Sequence, residues 1–333
     1  MDEGGSEQDS VETLLEQYRI VAANQQVPRT EREVLERLVE AYAREPGEDD
    51  LTLAFALNNL GIQQRKDGIQ KRRISYFGDS LKKHERALEI QLKLLGEAHV
   101  DTARTYANIG RNFLEKGTTF DRDKGKNFEK AEGSYRKALD IMNKLQIIRP
   151  QESFDLTKWN QHLVVSLKGQ GKYSGAIKTQ KLVLSTLLQK HGEDHHTIVL
   201  AYHCIAGLLK AQNRFDDALQ MLDKAIAICS RLEQLGDFDR TILGLLLRNI
   251  AEVMEAKGDV ECALELFTKL LMLQLDTLGE MHPATADTYE KITKAYMQKG
   301  MVEDGIKNLT KVVEIRRQVL GDDHPDTKDL QLS

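Results

Sequence analysis

The stretch LGEAHVDTARTYANIG, residues 95–110, decides the fold because it returns. It recurs as LGDFDRTILGLLLRNIA from Leu235, as LGEMHPATADTYEKIT from Leu278 and as LGDDHPDTKDLQLS from Leu320. A degenerate copy, HGEDHHTIVLAYHCIA, starts at His191. The glycines Gly192, Gly236, Gly279 and Gly321 are spaced 44, 43 and 42 residues apart. Gly96 to Gly192 spans 96 residues, room for two copies of which one is enlarged. Self-similarity at a period of this length marks a stacked array in which each repeat is one supersecondary unit.

Within each repeat a second set of marks appears. Gly68, Gly117, Gly171, Asn213, Gly258 and Gly300 each follow one helical pattern and precede another. Gly and Asn tolerate the left-handed conformation that closes a helix, so each is expected at a turn. Five residues after four of them comes a small residue, Ala176, Ala218, Ala263 or Gly305. In the first two repeats the equivalents are Ser80 and Ala131, twelve and fourteen positions on. Those two turns therefore carry insertions of about seven and nine residues, expected as loops. The helix before each turn (helix A) has an apolar stripe at 3.6-residue spacing. Examples are Tyr106, Gly110 and Phe113, or Leu247, Ala251 and Met254. The small middle member lets two helices approach closely. No segment alternates as a strand would, so the chain is expected to be all-α, a stack of antiparallel helix pairs.

These marks together resemble the tetratricopeptide repeat, in the long kinesin light chain-like variety, and the resemblance implies a right-handed superhelical solenoid of antiparallel helix pairs. The resemblance rests on the period, on the LG-x-x-HP junction, and on Asn58-Asn59-Leu60-Gly61, Ala107-Asn108-Ile109-Gly110 and Arg248-Asn249-Ile250-Ala251 inside helix A. It covers residues 51–321 as six repeats, with 322–333 as the start of a seventh or a C-terminal cap. Residues 1–28 form an acidic segment, and 29–50 are expected to hold a capping helix. The two helical patterns ahead of the repeats, Val11–Asn24 and Glu31–Arg44, are short and do not sustain the heptads of the kinesin light chain coiled coil.

Charge is segregated. Residues 1–50 carry 5 basic and 14 acidic side chains, residues 51–180 carry 24 and 14, and residues 181–333 carry 18 and 24. An overall balance of 47 to 52 argues against a nucleic-acid binder. No apolar run reaches the ~20 residues of a membrane span. The N-terminus has no basic and apolar signal pattern, and Cys204, Cys229 and Cys262 form no CxxC. Buried free thiols in a cytoplasmic protein are expected.

Stacked repeats line one wall with helix A, and such a wall suits an extended peptide. Counted back from each turn residue, the outward stripe falls thirteen, ten, six and three positions earlier. This gives Arg104, Ala107, Arg111 and Leu114 in repeat two, and Lys158, Gln161, Val165 and Lys168 in repeat three. It gives Leu200, His203, Gly207 and Lys210 in repeat four, with Leu245, Arg248, Glu252 and Glu255 in repeat five. Asn59, Asn108 and Asn249 flank it by one residue. Asn pairs with both groups of a peptide backbone, while Arg and Lys pair with acidic side chains. The candidate peptide-binding set is Asn59, Arg104, Asn108, Arg111, Lys158, Gln161, Lys168, His203, Lys210, Arg248 and Asn249. The resemblance implies the same, since kinesin light chain grooves bind short acidic motifs with Asn and basic residues.

The expected partner is a protein or peptide segment with acidic residues, held by an adaptor or scaffold. The acidic head is a second candidate occupant, by intramolecular contact. A co-chaperone-like clamp for acidic C-termini is an alternative. Another is binding of RNA or an anionic surface by the basic insertions Arg65, Lys66, Lys71, Arg72, Arg73 and Arg122, Lys124, Lys126, Lys130. His191, His195, His196 and His203 imitate a zinc cluster, but His195 aligns with His99, His282 and His324, so it is a junction feature. Gly169-x-Gly171 follows no strand and is no phosphate loop. No nucleophile–base arrangement or carboxylate pair can be placed. Neither cofactor, metal nor catalysis is expected.

Overall fold

The computed structural model describes residues 28–44, 50–120, 123–149, 151–152, 154–234, 236 and 240–321, together with 13, 14, 16 and 17. Among the described residues there are thirteen helices and no strand. The chain divides into two compact units, Met1–Thr179 and Gln180–Ser333. Unit 1 holds α1 (Pro28–Arg44), α2 (Leu51–Gln70), α3 (Ser75–Leu95), α4 (Val100–Thr119), α5 (Lys124–Ile148) and α6 (Thr157–Gly169). The border falls inside α7 (Tyr173–His191). Unit 2 continues with α8 (His196–Lys210), α9 (Phe215–Gln234), α10 (Arg240–Lys257), α11 (Val260–Thr277), α12 (Pro283–Gln298) and α13 (Val302–Leu320).

Inside each unit consecutive helices pack as antiparallel pairs, and A helices also touch the next A helix: α2 with α4, α4 with α6, and α8 with α10. The core of every pair is a small residue meeting a large one. Ser80, Ala131, Ala176, Ala218, Ala263 and Gly305 are all buried. Gly110 faces the ring of Tyr135, and Ala251 packs with Phe267 and Leu270. Leu35 and Leu38 of α1 cover Ala56 and Leu60 of α2. Fully burying one such leucine contributes about 2 kcal/mol. Trp159 packs against Ala103, Ile141 and Met142.

The junction motif is a helix start. His99 accepts the Asp101 N–H on Nδ1 at 3.1 Å, His195 that of Thr197 at 3.2 Å, and His282 that of Ala284 at 3.1 Å. Asp50 does the same for Thr52 at 3.0 Å. Each satisfies one of the backbone donors that open a helix. The preceding glycines Gly96, Gly192, Gly236, Gly279 and Gly321 have φ between 75° and 88°, the region that ends the helix before.

Two expectations are corrected. Gly68 and Gly117 are not turn residues; both lie inside helices, and the left-handed residues of those hairpins are Arg72 and Asp123. Their glycine character serves close packing: a Cβ on Gly68 would sit 2.8 Å from the Phe77 ring. The insertions are accordingly not loops. α2 runs on to Gln70 and α3 starts five residues ahead of Ser80; α4 runs on to Thr119 and α5 starts seven ahead of Ala131. The thiols differ too. Cys229 is buried, whereas Cys262 is half-buried and Cys204 exposed.

Candidate functional site

Seven of the eleven candidate residues fall in unit 1 and four in unit 2, so two helix-A faces are described in turn. In unit 1, Arg104 and Arg111 of α4 and Lys158, Gln161, Val165 and Lys168 of α6 are exposed. Asn59 of α2 and Asn108 of α4 are half-buried. Ala107 and Leu114, expected on the same stripe, are each only 5% exposed. On a helix that touches A helices on both sides, short apolar side chains are covered while Arg reaches past them to water. Phe55, 47% exposed on α2, completes this face. It stands thirteen residues before Gly68, at the position Arg104 holds in repeat two.

The electrostatics of this face favour anions. Arg104 pairs with Asp101 at 3.0 Å, and Arg111 Nε with Glu115 at 2.7 Å. Glu115 also accepts from Arg65 of α2, a guanidinium only 3% exposed. Arg65 therefore leaves the basic edge proposed from sequence and becomes a buried strut between two A helices. Desolvation lowers its pKa, and Glu115 opposes that shift. Beneath them Tyr135 and His162 meet, hydroxyl to Nδ1, at 3.1 Å. Burial holds His162 below the ordinary imidazole range and pushes Tyr135 above the phenol range. Lys158, Gln161 and Lys168 have no side-chain partner among the described residues. The face thus carries five cations against two carboxylates, Asp101 and Glu115.

In unit 2 the four candidates come together on α8 and α10. Lys210 pairs with Glu252. Asn249 is 7% exposed, and its amide donates to the His203 carbonyl at 3.4 Å. It is turned inward, unlike Asn59 and Asn108. Arg248 has no ion pair among the described residues and borders a cavity of about 380 Å³ shared with Glu252, Asp287, Glu290, Lys291 and Lys294. The carboxylates of this face are paired within the fold. Glu255 accepts from Lys291 at 3.1 Å and Lys294 at 2.9 Å, and Glu290 accepts from Arg316. Those lysines hold the Glu255 carboxyl below its usual range against the opposing effect of burial.

Sequence reasoning missed Glu115, whose signal is its place four residues after Arg111. It also missed Asn58, which binds inward: its Nδ2 donates to Thr105 Oγ1 at 2.6 Å. At the basic edge Lys66, Lys71, Arg72, Arg73, Lys124, Lys126 and Lys130 are exposed; Arg122 and the acidic head lie outside the described residues. The rings of His191, His195 and His196 lie side by side, with centroids 4.3 and 4.2 Å apart. Among the described residues no three His, Cys, Asp or Glu side chains are grouped to hold a metal ion, and no helix is long and apolar enough to cross a membrane.

The repeat architecture on these faces has a family counterpart. The profile of the tetratricopeptide repeat matches residues 199–235 and 285–326. Over those two stretches the chain carries tetratricopeptide repeats. The repeat period along the chain is 42–44 residues. Among solved structures, the apo form of RapI aligns with 97% of this chain and 80% of its own, at 14% identity and a TM-score of 0.59. BtubC (BKLC) from P. vanneervenii aligns with 72% of this chain and 94% of its own, at 21% identity and a TM-score of 0.50. Nearly identical TPR-like repeats from Podosopora anserina align with 66% and 97%, at 16% identity and a TM-score of 0.46. At such identities the likeness is one of fold. No curated protein matches the sequence.

Proposed function

We propose that this tetratricopeptide repeat protein is a cytoplasmic adaptor that holds an extended, acidic peptide segment of a partner protein on its helix-A faces. The observation that carries this reading is the uncompensated charge of unit 1. Arg104, Arg111, Lys158 and Lys168 reach solvent from consecutive A helices, and the two lysines have no carboxylate of their own. A ligand carboxylate placed there replaces water at an already exposed cation, which favours association more than it costs in desolvation. Asn108 and Gln161, at the same level, offer paired donor and acceptor groups to a backbone. The reading assigns the protein no catalysis.

The test is a pull-down from cell lysate with wild type and with the triple variant Arg104→Glu, Lys158→Glu, Lys168→Glu. These side chains are exposed, so the melting curve stays within the range of ordinary surface substitutions, about 0.5 kcal/mol. Specific partners present with wild type and lost with the variant support the reading. The same partners recovered by both proteins overturn it.

A further inference from the structure

The junction between repeats five and six holds a buried carboxamide with an unused acceptor. Gln274 of α11 is 6% exposed, and its Oε1 has no hydrogen-bond partner among the described residues. Gln91 occupies the same place between repeats one and two, five residues before the junction glycine. There the acceptor is used: Thr105 Oγ1 donates to Gln91 Oε1 at 2.7 Å. Thr288 is the counterpart of Thr105, nine residues after its glycine, but its hydroxyl donates back to the Ala284 carbonyl at 3.1 Å.

Gln274 borders an open cleft of about 310 Å³, walled by the aliphatic side chains of Leu245, Leu273 and Leu278, and its Oε1 lies covered at the edge of it. Its remaining wall includes Gly244, in the middle of α10. Nothing in the fold demands glycine there. Its φ is not positive, and a Cβ would lie 3.5 Å from Leu270 Cδ1 and 3.6 Å from Leu273 Cδ2, ordinary contact distances. The equivalent residues of the other repeats are Ala54, Ala103, Thr157, Val199 and Ala286. A glycine inside a helix is destabilising relative to alanine, so this one leaves space at a cost to the fold. Arg248, which has no ion pair, stands on the wall shared by this cleft and the cavity on the helix-A face.

We propose that this cleft anchors an extended peptide by one aliphatic side chain. That side chain fills the space beside Gly244 and the three leucines. The Gln274 carboxamide turns toward the cleft so that its Oε1 accepts from the backbone N–H next to that side chain, and an adjacent acidic residue pairs with Arg248. The proposal rests on the peptide-binding reading above and gives it a specific anchor in unit 2.

The experiment pans a random twelve-residue peptide library against the full chain, then titrates the enriched peptides, fluorescein-labelled, by anisotropy. The expected consensus is an aliphatic residue beside Asp or Glu. Gly244→Ala is expected to melt higher than wild type yet bind at least about threefold more weakly, opposite signs that a purely structural glycine would not give. Gly244→Leu, Gln274→Leu and Arg248→Ala each weaken binding by about tenfold. If Gly244→Ala and Gln274→Leu bind the enriched peptides as wild type does, the anchor is overturned. If the triple variant of unit 1 then abolishes that binding, the general reading stands without it. If no peptide is enriched, both fall.

Discussion

The junctions between repeats one and two and between repeats five and six are spelled almost alike, LGEAHVDTARTY and LGEMHPATADTY, yet they end in different places. Both have a left-handed glycine, a histidine cap, and a threonine hydroxyl that donates to the glycine carbonyl at 3.0 Å, Thr102 to Gly96 and Thr285 to Gly279. The difference comes from the helix before. In repeat one Asn58 donates to Thr105, Thr105 donates to Gln91, and Asn58 Oδ1 accepts from His84 Nδ1 at 2.8 Å, which closes a buried chain of four side chains. In repeat five the residue in the place of Asn58 is Arg248. A guanidinium has no acceptor and cannot be buried there without a carboxylate, so it swings outward and the chain stays open. One position on a neighbouring helix decides whether the same junction closes its hydrogen-bond chain or leaves a buried acceptor unused.

That comparison breaks most readily at the threonines. Thr105→Val orphans two buried groups at once and is expected to cost about 3 kcal/mol, while Thr288→Val costs less than about 1 kcal/mol. Thermal melts of the two variants check this, and equal losses would mean that the closed chain has no special weight. The glycines come next. Gly61→Ala places a Cβ 2.7 Å from the His84 ring and is expected to cost about 2 kcal/mol, whereas Gly244→Ala is expected to stabilise by about 0.5–1 kcal/mol.

Acid separates the two junctions by about the same amount. Burial lowers the His84 pKa from 6.5 to about 3, with the charge of Arg65 adding to the effect. The unfolded chain therefore binds this proton first, and the stability present at neutral pH is lost as pH falls from the ordinary imidazole value toward the depressed one. From about pH 7 to about pH 5 the loss is about 2 kcal/mol. Hydrogen exchange should locate it in α2 to α4, and His84→Gln should flatten it. The glutamines give the smallest effect. Gln91→Leu is expected to cost about 1.5 kcal/mol, and Gln274→Leu to be neutral or stabilising, because only the former leaves a donor without its acceptor.

The fold was legible because repetition multiplies a weak signal: a single small residue means little, but Ala218 and Ala263 at the same offset in copies of fixed period define helix pairs. What lay beyond reach were choices that depend on a neighbour in space. The junction histidine was visible as a recurring letter; its work as a helix cap depends on an extended backbone at His99, His195 and His282, and Asp50 does the same work under another letter. Asn58 and Asn59 are adjacent and chemically identical, yet one is tied into the interior by Thr105 and His84 while the other bonds its own helix at Phe55. Asn249, in register with Asn59, turns inward to His203. Arg65 read as part of a basic loop because nothing in its own segment points to Glu115, fifty positions away.

The lengthened hairpins of repeats one and two carry a rule about tolerated length. An α-helix needs 3.6 residues for each turn, so one extra turn on both arms of a hairpin consumes about seven residues. The insertions are of about that size, seven and nine, and they lie on both arms, beyond Gly68 and Gly117 on one side and ahead of Ser80 and Ala131 on the other. Growth by this quantum keeps the arms opposed and every packing residue in phase; growth by three or four would leave one arm without a partner. Length variants of the hairpin that lengthen both arms together should fold when made, and those that lengthen one arm alone should lose stability.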